Sequence, residues 1–577
     1  MTDPSAPAQP AMLETTLAAD FIPGTNLKGD LAHADWRFLL PRLQVDNVLC
    51  VGSPAPGSIV PLSRICQQLF VISGNPQQLK TLSAAAAAKG IGNLRCIHLN
   101  PLAPWPFAAA SMDLVHFAST AESKRCLQDS TALEELRRVS RPDAMLHLEA
   151  RGPGAHAGLR ARLDALAQSG FGGARRFWTT SSRGEMATAI PLGRKPVSHY
   201  FFANVLPGQS FRKRLLSRAG KWLSRAGMID CLAGQAAVLH RAAGSRQAPR
   251  LPDYLDGLLK DAQVNIAEPS FGFSARGRYN SNKVVFFLFS GQAPSPSAVV
   301  KLTRAPEFNH RLENEHRILR HLTDHNVIPP AAFPRPLFLT HQGRLAAIGL
   351  GAVQGRPFRT RTQADAQCRL AQAVIQRIVR LGSATASHAA GPPAEAAAAL
   401  RTLARRFLKT YPLPAHHEAR LSEQIDAISR CSHGLPTVLH HGDLGTWNIL
   451  VNDDNGIIIM DWEAAELHGM PLWDLFYFFR TFASWISRAR GVVDPQQSFA
   501  DHFLKPSALG DLLRATVSDY CRGVGLDQAL ARPLLTLCWM HRALKESTRL
   551  TGATLHQGTY IKLFRLTLES GDRLAFA

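Results

Sequence analysis

Two short apolar runs in the second half of the chain constrain its fold more than any other feature. Residues 448–451 are Asn-Ile-Leu-Val and residues 457–460 are Ile-Ile-Ile-Met, which favours two short strands in a small, rigid hairpin. Asp443 and Asn448 lie on the approach to the first run, and Asp461 directly follows the second. The pattern therefore predicts two carboxylates and an amide held on one rigid element.

The residue types at these positions suit chemistry at a phosphate group. A carboxylate such as Asp443 can accept the proton of a hydroxyl group and orient its oxygen as a nucleophile. The amide oxygen of Asn448 and the carboxylate of Asp461 can hold Mg²⁺ against nucleotide phosphates, because hard cations prefer oxygen ligands. An Asp and an Asn five positions apart are common by chance, so the interpretation also depends on residues upstream.

The segment HGDLGTWNIL, with IIIMD after it, resembles the aminoglycoside phosphotransferase/choline kinase family over residues 265–575. The resemblance implies a kinase-like fold in which Asp443 is the catalytic base and Asn448 and Asp461 are metal ligands. It also implies ATP or GTP as the phosphate donor, with Mg²⁺. The acceptor it implies is a hydroxyl group of a small molecule.

The upstream half agrees with this resemblance. Lys301 lies on a predicted strand, where the family's phosphate-binding lysine belongs, and Glu315 lies on the next helix at a spacing suited to pairing with it. Glu313 is the rival partner. The phosphate-covering loop would be residues 274–283, in which Gly277 is the single glycine and no GxGxxG pattern occurs.

Four further residues near the hairpin have predicted supporting roles. By the same resemblance His441 braces the catalytic loop, and Asp474 in GMPLWDLFYFF supports it from the start of a helix. Trp447 and Trp462 either stack on a substrate or pack in the interior.

The first part of the chain alternates strand-like runs such as DNVLCVG with helical stretches, which predicts a parallel α/β sheet. Residues 30–205 resemble a class I S-adenosylmethionine-dependent methyltransferase, with VLCVGSPAPGS as the first strand and turn and Asp113 at the family's acid. The predicted fold class is thus α/β plus α+β. A Rossmann-like, methyltransferase-type parallel sheet precedes a bilobal protein-kinase-like fold with a mainly helical C-lobe.

Three departures at the predicted cofactor site indicate a degenerate methyltransferase-like domain. Pro54 and Pro56 intrude into the glycine turn, where they fix φ and remove backbone donors. The acid expected after the second strand is Ser73 or Gly74, and the one expected after the third is Asn100. S-adenosylmethionine is therefore not expected to bind, and the domain is a scaffold or recognises substrate for the kinase half.

A break in composition at AAGSRQAPRLPDY separates the two halves. The predicted organisation is a flexible tail (1–30), a methyltransferase-like domain (31–241), a linker (242–260) and a kinase domain with an N-lobe (261–350) and a C-lobe (351–577).

Composition restricts the partners and the compartment. The net charge of +21 on 577 residues favours anionic partners. Nine cysteines occur singly, without metal-ligand spacing, which predicts a reducing compartment and no zinc site. The start of the chain lacks a signal-peptide pattern and no long apolar run follows, so the predicted location is cytoplasmic, with peripheral membrane attachment left open.

The segment 211–225, FRKRLLSRAGKWLSR, has six basic residues and no acid. On a helix, one side would carry Phe211, Leu215, Trp222 and Leu223, and another Arg214, Arg218, Lys221 and Arg225. Such a helix lies on an anionic membrane surface or packs on its own domain with a solvated basic face. Nucleic-acid binding is not expected, because no nucleic-acid motif accompanies the charge.

The predicted function is transfer of the γ-phosphoryl group of ATP or GTP to a hydroxyl of a sugar, an aminocyclitol or an amino alcohol. One alternative is a bifunctional enzyme that also transfers a methyl group. Another is a non-catalytic, pseudokinase-like binding protein in cell-envelope polysaccharide assembly.

Overall fold

The structure is a computed structural model. It describes residues 31–150, 155–182, 185–206, 211–229, 232, 234–241, 250–275, 282–388, 393–431, 434–550, 552–570 and 573–574, without the side chains of 211–214, 216, 393 and 394. The described residues fall into two compact units: a sheet unit, 26–312 with 337–352, and a helical unit, 313–336 with 353–577. The domain boundaries expected at 241 and 261 stay a prediction.

The sheet unit begins with parallel strands that alternate with helices. Its first eight strands are β1 (Val45–Val51), β2 (Cys66–Ser73), β3 (Leu94–His98), β4 (Met112–Phe117), β5 (Ser140–Ala150), β6 (Gly172–Ser182), β7 (Glu185–Pro191) and β8 (Gln235–His240). Strands β1 to β5 are parallel in the spatial order β3-β2-β1-β4-β5, which confirms the predicted parallel α/β sheet.

Short helices connect these strands. They are α1 (Ile59–Ser63), α2 (Pro76–Ala88), α3 (Ala121–Cys126), α4 (Ser130–Val139), α5 (Ala155–Gln168), α6 (Lys195–Tyr200), α7 (Phe211–Ala226) and α8 (Asp253–Asp261). The amphipathic spacing of Leu136 and Val139 on α4 buries one face of that helix against the sheet.

The same sheet continues into antiparallel strands, one of which is the strand predicted to carry Lys301. These are β9 (Pro269–Ser274), β10 (Lys283–Ser290), β11 (Ala298–Thr303), β12 (Pro336–Gln342) and β13 (Leu345–Gly351). Strand β9 pairs with β7 through Thr188 opposite Ser274 and Ala189 opposite Phe273, so thirteen strands form one sheet. Apolar residues from both parts of the sheet share one core, including Val48, Phe273 and Phe286.

Part of the segment expected to be a linker is a packed helix. In α8, Tyr254 and Leu255 are buried, and the hydroxyl of Tyr254 donates to the carbonyl of Phe38 at 2.7 Å. The apolar residues of α8 recur at helical spacing, which puts a continuous stripe on one face and allows it to join the core. The composition around 242–254 did not reveal this helix.

A buried ion pair joins the short 3₁₀ helix Ala32–Leu39 to the end of β11. Arg304 donates from Nε to Oδ1 of Asp35 at 2.9 Å and from Nη2 to Oδ2 at 2.6 Å. Arg37 donates from Nη2 to the carbonyl of Arg304 at 3.0 Å. Two arginines and one aspartate thus hold Ala32–Leu39 against the end of β11.

The helical unit contains short strands β14 (Arg356–Pro357), β15 (Val438–His440), β16 (Ile449–Val451), β17 (Ile457–Ile459) and β18 (Glu466–Gly469). Its helices are α9 (Asn309–Asp324), which starts in the sheet unit, then α10 (Phe358–Arg361), α11 (Arg369–Thr385), α12 (Pro393–Thr410), α13 (Ala415–Ser429), α14 (Trp473–Ala489), α15 (Pro495–Phe499), α16 (Ala508–Val524), α17 (Ala531–Ser547) and α18 (Thr559–Glu569). The mainly helical C-lobe is confirmed. None of the helices described is both long and apolar enough to cross a membrane.

Candidate active site

The predicted hairpin forms, and it brings Asn448 and Asp461 to the same end. Strands β16 and β17 pair antiparallel, with Ile449 opposite Ile459. The N–H of Met460 donates to the carbonyl of Asn448 at 2.8 Å, just beyond the last strand pair. Asp461 has a left-handed backbone (φ 69°), which turns the chain out of the strand.

Asn448 also binds Asp443 with its side-chain amide. Its Nδ2 donates to the backbone carbonyl of Asp443 at 2.9 Å and to Oδ2 at 3.1 Å. Because the NH₂ group must face these acceptors, the amide oxygen faces the other way and keeps its lone pairs for another partner. An amide oxygen and the carboxylate of Asp461 at one hairpin end form a donor set suited to a hard cation.

Those two residues would share a cation with non-protein ligands. Among the described residues, no three His, Cys, Asp or Glu side chains form a group able to hold a metal ion. Mg²⁺ is usually held by one or two protein carboxylates together with phosphate oxygens and water, so this sparse donor set fits it.

The structure adds Arg542, which the sequence reasoning missed. Arg542 lies on α17 and contacts Asp443 from Nη1 to Oδ1 at 3.0 Å, while its Nη2 donates to the carbonyl of Gly442 at 2.7 Å. Its guanidinium carbon lies 3.5 Å from the centroid of the Tyr477 ring. Burial alone would lower the pKa of Arg542, but Tyr477 and Asp443 raise it overall, so the side chain stays charged.

The catalytic-loop backbone is held by two side chains named from the sequence. His441 accepts at Nδ1 from the N–H of Asp443 at 3.2 Å, and its Nε2 lies 2.9 Å from the carbonyl of Met460. This pattern requires a neutral ring with the proton on Nε2. Asp474 on α14 accepts from the N–H groups of His441, at 2.5 Å, and Gly442, at 3.1 Å. Both contacts are those of residues that brace the loop.

Aromatic side chains line the neighbourhood of Asp443. Trp447 is 44 % exposed and stands edge-on to Tyr477, with ring centroids 5.9 Å apart. The hydroxyl of Tyr560 lies 3.4 Å from that of Tyr477, and burial raises the pKa of Tyr477 well above its usual range. Trp462, in contrast, is fully buried, with Nε1 donating to the carbonyl of Ile459 at 3.0 Å. Only Trp447 of the two tryptophans is placed to meet a substrate.

The remaining predicted site residues are divided between the units. Lys301 is buried on β11, opposite Val285 and Ile348, in the sheet unit. Glu315 is buried on α9 within the helical unit. Their pairing therefore stays a prediction, and Gly277 lies outside the described residues.

The strand order of the parallel part of the sheet reverses between β1 and β4, and sheets of this kind bind ligands beyond the carboxyl ends of the strands at such a point. Here Ser123 donates from Oγ to the carbonyl of Val51 at 2.6 Å. A Cβ added to Gly52 would lie 2.5 Å from Oγ1 of Thr120 and 2.6 Å from Oγ of Ser123. Side chains from the segment after β4 thus lie directly against the predicted glycine turn.

Glu122 on α3 occupies the end of β2. Its Oε1 accepts from the N–H of Gly74 at 2.5 Å and its Oε2 from the hydroxyl of Ser73 at 2.8 Å. The resemblance predicts an acidic residue at the end of β2 that would bind a ribose. The carboxylate found at this position belongs instead to Glu122 of α3, and it accepts hydrogen bonds from the hydroxyl of Ser73 and the N–H of Gly74. Strand β2 therefore ends without the acid that the resemblance predicts for binding S-adenosylmethionine.

Asp113 lies at the opposite end of β4. It accepts from the N–H of Asn47 at 2.8 Å and pairs with Arg141 at 2.6 Å. These contacts tie the starts of neighbouring strands together, which is a structural role.

Comparison with known proteins agrees with the resemblance drawn from the hairpin. Residues 274–510, less than half of the chain, match the model of a family described as the phosphotransferase enzyme family. The resemblance to phosphotransferases is thus confirmed over those residues. No curated protein sequence matches the chain.

Solved structures resemble each part of the chain at low identity. A putative aminoglycoside phosphotransferase from Ralstonia eutropha is 12 % identical, with 56 % of this chain and 98 % of that one covered and a TM-score of 0.38. A SAM-dependent methyltransferase from Aquifex aeolicus is 18 % identical, with coverages of 27 % and 94 % and a TM-score of 0.20. A putative sarcosine dimethylglycine methyltransferase from Galdieria sulphuraria is 14 % identical, with coverages of 37 % and 85 % and a TM-score of 0.21. At these values the likeness says nothing of function.

Proposed function

We propose that the chain transfers the γ-phosphoryl group of ATP or GTP to a hydroxyl group of a small molecule. The observation that carries the proposal is the position of Asp443 between Arg542 and the amide of Asn448, inside the region matched by the phosphotransferase family model. Each carboxylate oxygen of Asp443 accepts one hydrogen bond and keeps capacity for another. With 34 % of its side chain exposed, Asp443 can still reach an acceptor hydroxyl.

In this proposal Asp443 orients the acceptor hydroxyl and receives its proton as the oxygen attacks the γ-phosphorus. The bond between that phosphorus and the bridging oxygen of the nucleoside diphosphate breaks, and the proton then leaves to solvent. Arg542 holds the carboxylate in place, and His441 and Asp474 hold the loop that carries it. Positioning and charge neutralisation account for most of the catalysis in such a transfer.

Mg²⁺ would be held by the amide oxygen of Asn448 and the carboxylate of Asp461, and Lys301 would bind nucleotide phosphates. A bound magnesium ion supplies neutralisation of the charge on the transferred group. The orientation of the Asn448 amide supports this assignment, because it leaves the oxygen free of the contact with Asp443.

The surroundings of Asp443 favour a sugar over an amine-rich acceptor. The exposed ring of Trp447 offers a flat apolar face of the kind on which a sugar ring packs. Cationic side chains lie nearby: Arg542 contacts Asp443, Arg359 donates to the hydroxyl of Thr446 at 2.9 Å, and Arg480 lies over the ring of Tyr560. These charges disfavour a polycationic acceptor, so we propose a neutral or anionic sugar.

The test is Mg²⁺-dependent consumption of ATP and GTP by the full chain, against separate pools of sugars, sugar acids, amino alcohols and aminoglycosides. Asp443→Asn should abolish turnover while the chain stays folded, as circular dichroism would show. Asp454→Asn, on the exposed turn of the same hairpin, is the matched control and should remain active. Turnover by Asp443→Asn at the wild-type rate would overturn the proposal, and activity confined to aminoglycosides would overturn the acceptor class.

For the parallel part of the sheet we infer that no methyl transfer occurs, because Thr120 and Ser123 lie against Gly52 and Glu122 accepts hydrogen bonds from Ser73 and Gly74 at the end of β2. Isothermal titration calorimetry of the full chain with S-adenosylmethionine should give no binding heat. Saturable binding would contradict the inference and favour the bifunctional alternative.

A further inference from the structure

Helix α7 packs on its own unit through small residues. Ser217 donates from Oγ to the carbonyl of Phe202 at 2.5 Å, and Ser224 donates from Oγ to the carbonyl of Lys195 at 3.3 Å. A Cβ on Gly220 would lie 2.2 Å from the ring of Phe202. A glycine and two serines, spaced three and four residues apart, therefore form the buried face of the helix.

Two large apolar residues of α7, Leu215 and Trp222, consequently face solvent. Trp222 is 65 % exposed and Leu215 is 58 % exposed, seven residues apart and hence on one face. Ala219 and Ala226, also exposed, extend the same face along the helix. At 3.6 residues per turn this face is roughly opposite the buried one. Such large apolar side chains are exposed at few other places among the described residues.

Basic residues form the flank of this exposed face. Arg218 and Arg225 are exposed and Lys221 is partly exposed, all on one side of the line from Leu215 to Trp222. The helix contains no acidic residue to neutralise them. Met228, 44 % exposed, lies two residues beyond the end of the helix, and its N–H donates to the carbonyl of Leu223.

We propose that α7 docks this unit on an anionic lipid surface, with Trp222 and Leu215 inserted at the headgroup boundary and the basic flank against lipid phosphates. An apolar stripe beside a cationic flank is the pattern of helices that lie in the membrane interface. Tryptophan is the side chain that best suits that boundary, because it combines an apolar ring with a polar N–H. A nucleic acid would bind only the basic flank, and the apolar stripe would stay exposed to water.

The arrangement differs from that of a helix that merely covers its own domain. A covering helix would turn Leu215 and Trp222 inward, whereas here small residues take the inward positions. Gly220 permits a close approach to Phe202, so the apolar stripe is exposed while the helix stays packed on its unit.

The experiment is co-sedimentation of the full chain with phosphatidylcholine vesicles, with and without phosphatidylglycerol. We expect binding only to the anionic vesicles. Leu215→Ser with Trp222→Ser should weaken it about tenfold or more, and Arg218→Glu with Arg225→Glu to a similar degree.

Two controls match these variants. Val493→Ser removes an apolar side chain that is 70 % exposed in the helical unit, and Lys80→Glu with Lys124→Glu makes the same change in net charge on other helices of the sheet unit. Both should bind as the wild type does, and circular dichroism should show all variants folded. Absence of wild-type binding to anionic vesicles, or equal losses in the controls, would overturn the proposal. So would binding to duplex DNA in place of vesicles that survives loss of Leu215 and Trp222.

Discussion

Arg542 and Asp443 form an ion pair of 3.0 Å across 99 residues of sequence, and the arginine also binds the carbonyl next to the carboxylate. The pair joins α17 to the loop before β16. It holds one oxygen of Asp443, while Asn448 holds the other. The carboxylate proposed to receive the acceptor proton is therefore held in position before any substrate arrives.

Arg542→Met should reduce kcat by about 100-fold, because a carboxylate that can rotate misplaces the acceptor hydroxyl. The KM for the nucleotide should change little, since Arg542 binds Asp443 and the carbonyl of Gly442, which are not among the residues proposed to hold the nucleotide or Mg²⁺. Arg542→Lys keeps the charge but cannot bind both Asp443 and the carbonyl of Gly442. Its kcat should therefore lie between those of the wild type and Arg542→Met. Steady-state kinetics of the three proteins check this, and a wild-type kcat in Arg542→Met would contradict it.

Asp474→Ala should destabilise the chain and lower activity. It leaves the N–H groups of His441 and Gly442 without their carboxylate acceptor in a buried place, at a cost of about 1–3 kcal/mol each. Asp474→Asn keeps one acceptor oxygen and should lose about half as much. Urea unfolding measures the free energies, and equal stability of the alanine variant and the wild type would refute the bracing role.

Gly442→Ala should lower the free energy of unfolding, measured by urea denaturation, by more than its left-handed backbone alone explains. Its φ is 74°, and a Cβ would lie 2.0 Å from the carbonyl oxygen of Ala464. Gly491→Ala is the matched control, because Gly491 has φ 86° with nothing within 4 Å of an added Cβ. The control should lose only about 1 kcal/mol of stability, which is the cost of a left-handed backbone for alanine. Similar losses in both variants would mean that the loop can move away from Ala464.

The buried pair of Asp35 and Arg304 should show strong coupling in a double-mutant cycle. Asp35→Leu leaves Arg304 and Arg37 without their buried carboxylate, and Arg304→Met leaves Asp35 only the longer contact with Arg37 at 3.7 Å. Either change alone should lower the free energy of unfolding by about 3–5 kcal/mol. The double variant should lose clearly less than the sum of the two. Chemical denaturation of the four proteins checks the cycle, and strict additivity would show that the pair does not hold the Ala32–Leu39 helix to β11.

Acid should destabilise the sheet unit through His116. Burial lowers the pKa of His116 to about 4, beside His147 at 2.9 Å and the ring of Trp36. Because the unfolded chain takes up this proton near pH 6.5 and the folded chain only near pH 4, stability falls as pH decreases through that window. Between pH 7 and pH 5 the loss from this group is about 2 kcal/mol.

His116→Gln removes that contribution. Its unfolding free energy should fall less between pH 7 and pH 5 than that of the wild type, as measured by urea denaturation at each pH. His440, whose pKa burial also lowers to about 4, remains in both proteins and cancels in the comparison. Parallel pH profiles would show that His116 takes up its proton equally in both states.

Local sequence patterns predicted the β16–β17 hairpin and the parallel strands correctly. The β16–β17 hairpin forms as predicted because its apolar runs and its polar ends are adjacent in sequence. The parallel strands likewise follow from short apolar runs separated by helical stretches. The helix α8 was missed because Gly, Pro and Arg dominate the segment just before it, although its own apolar residues have helical spacing.

By itself the sequence determined which residues the hairpin carries and that strands alternate with helices, because both depend on neighbours within about ten positions. Only the tertiary structure decided that Arg542 meets Asp443, that β7 pairs with β9 to join two sheets, and that α7 buries Ser217 and Gly220 in place of Trp222. These outcomes depend on contacts between segments far apart in the chain. No local period records such contacts, since shape and charge at the meeting surfaces select them.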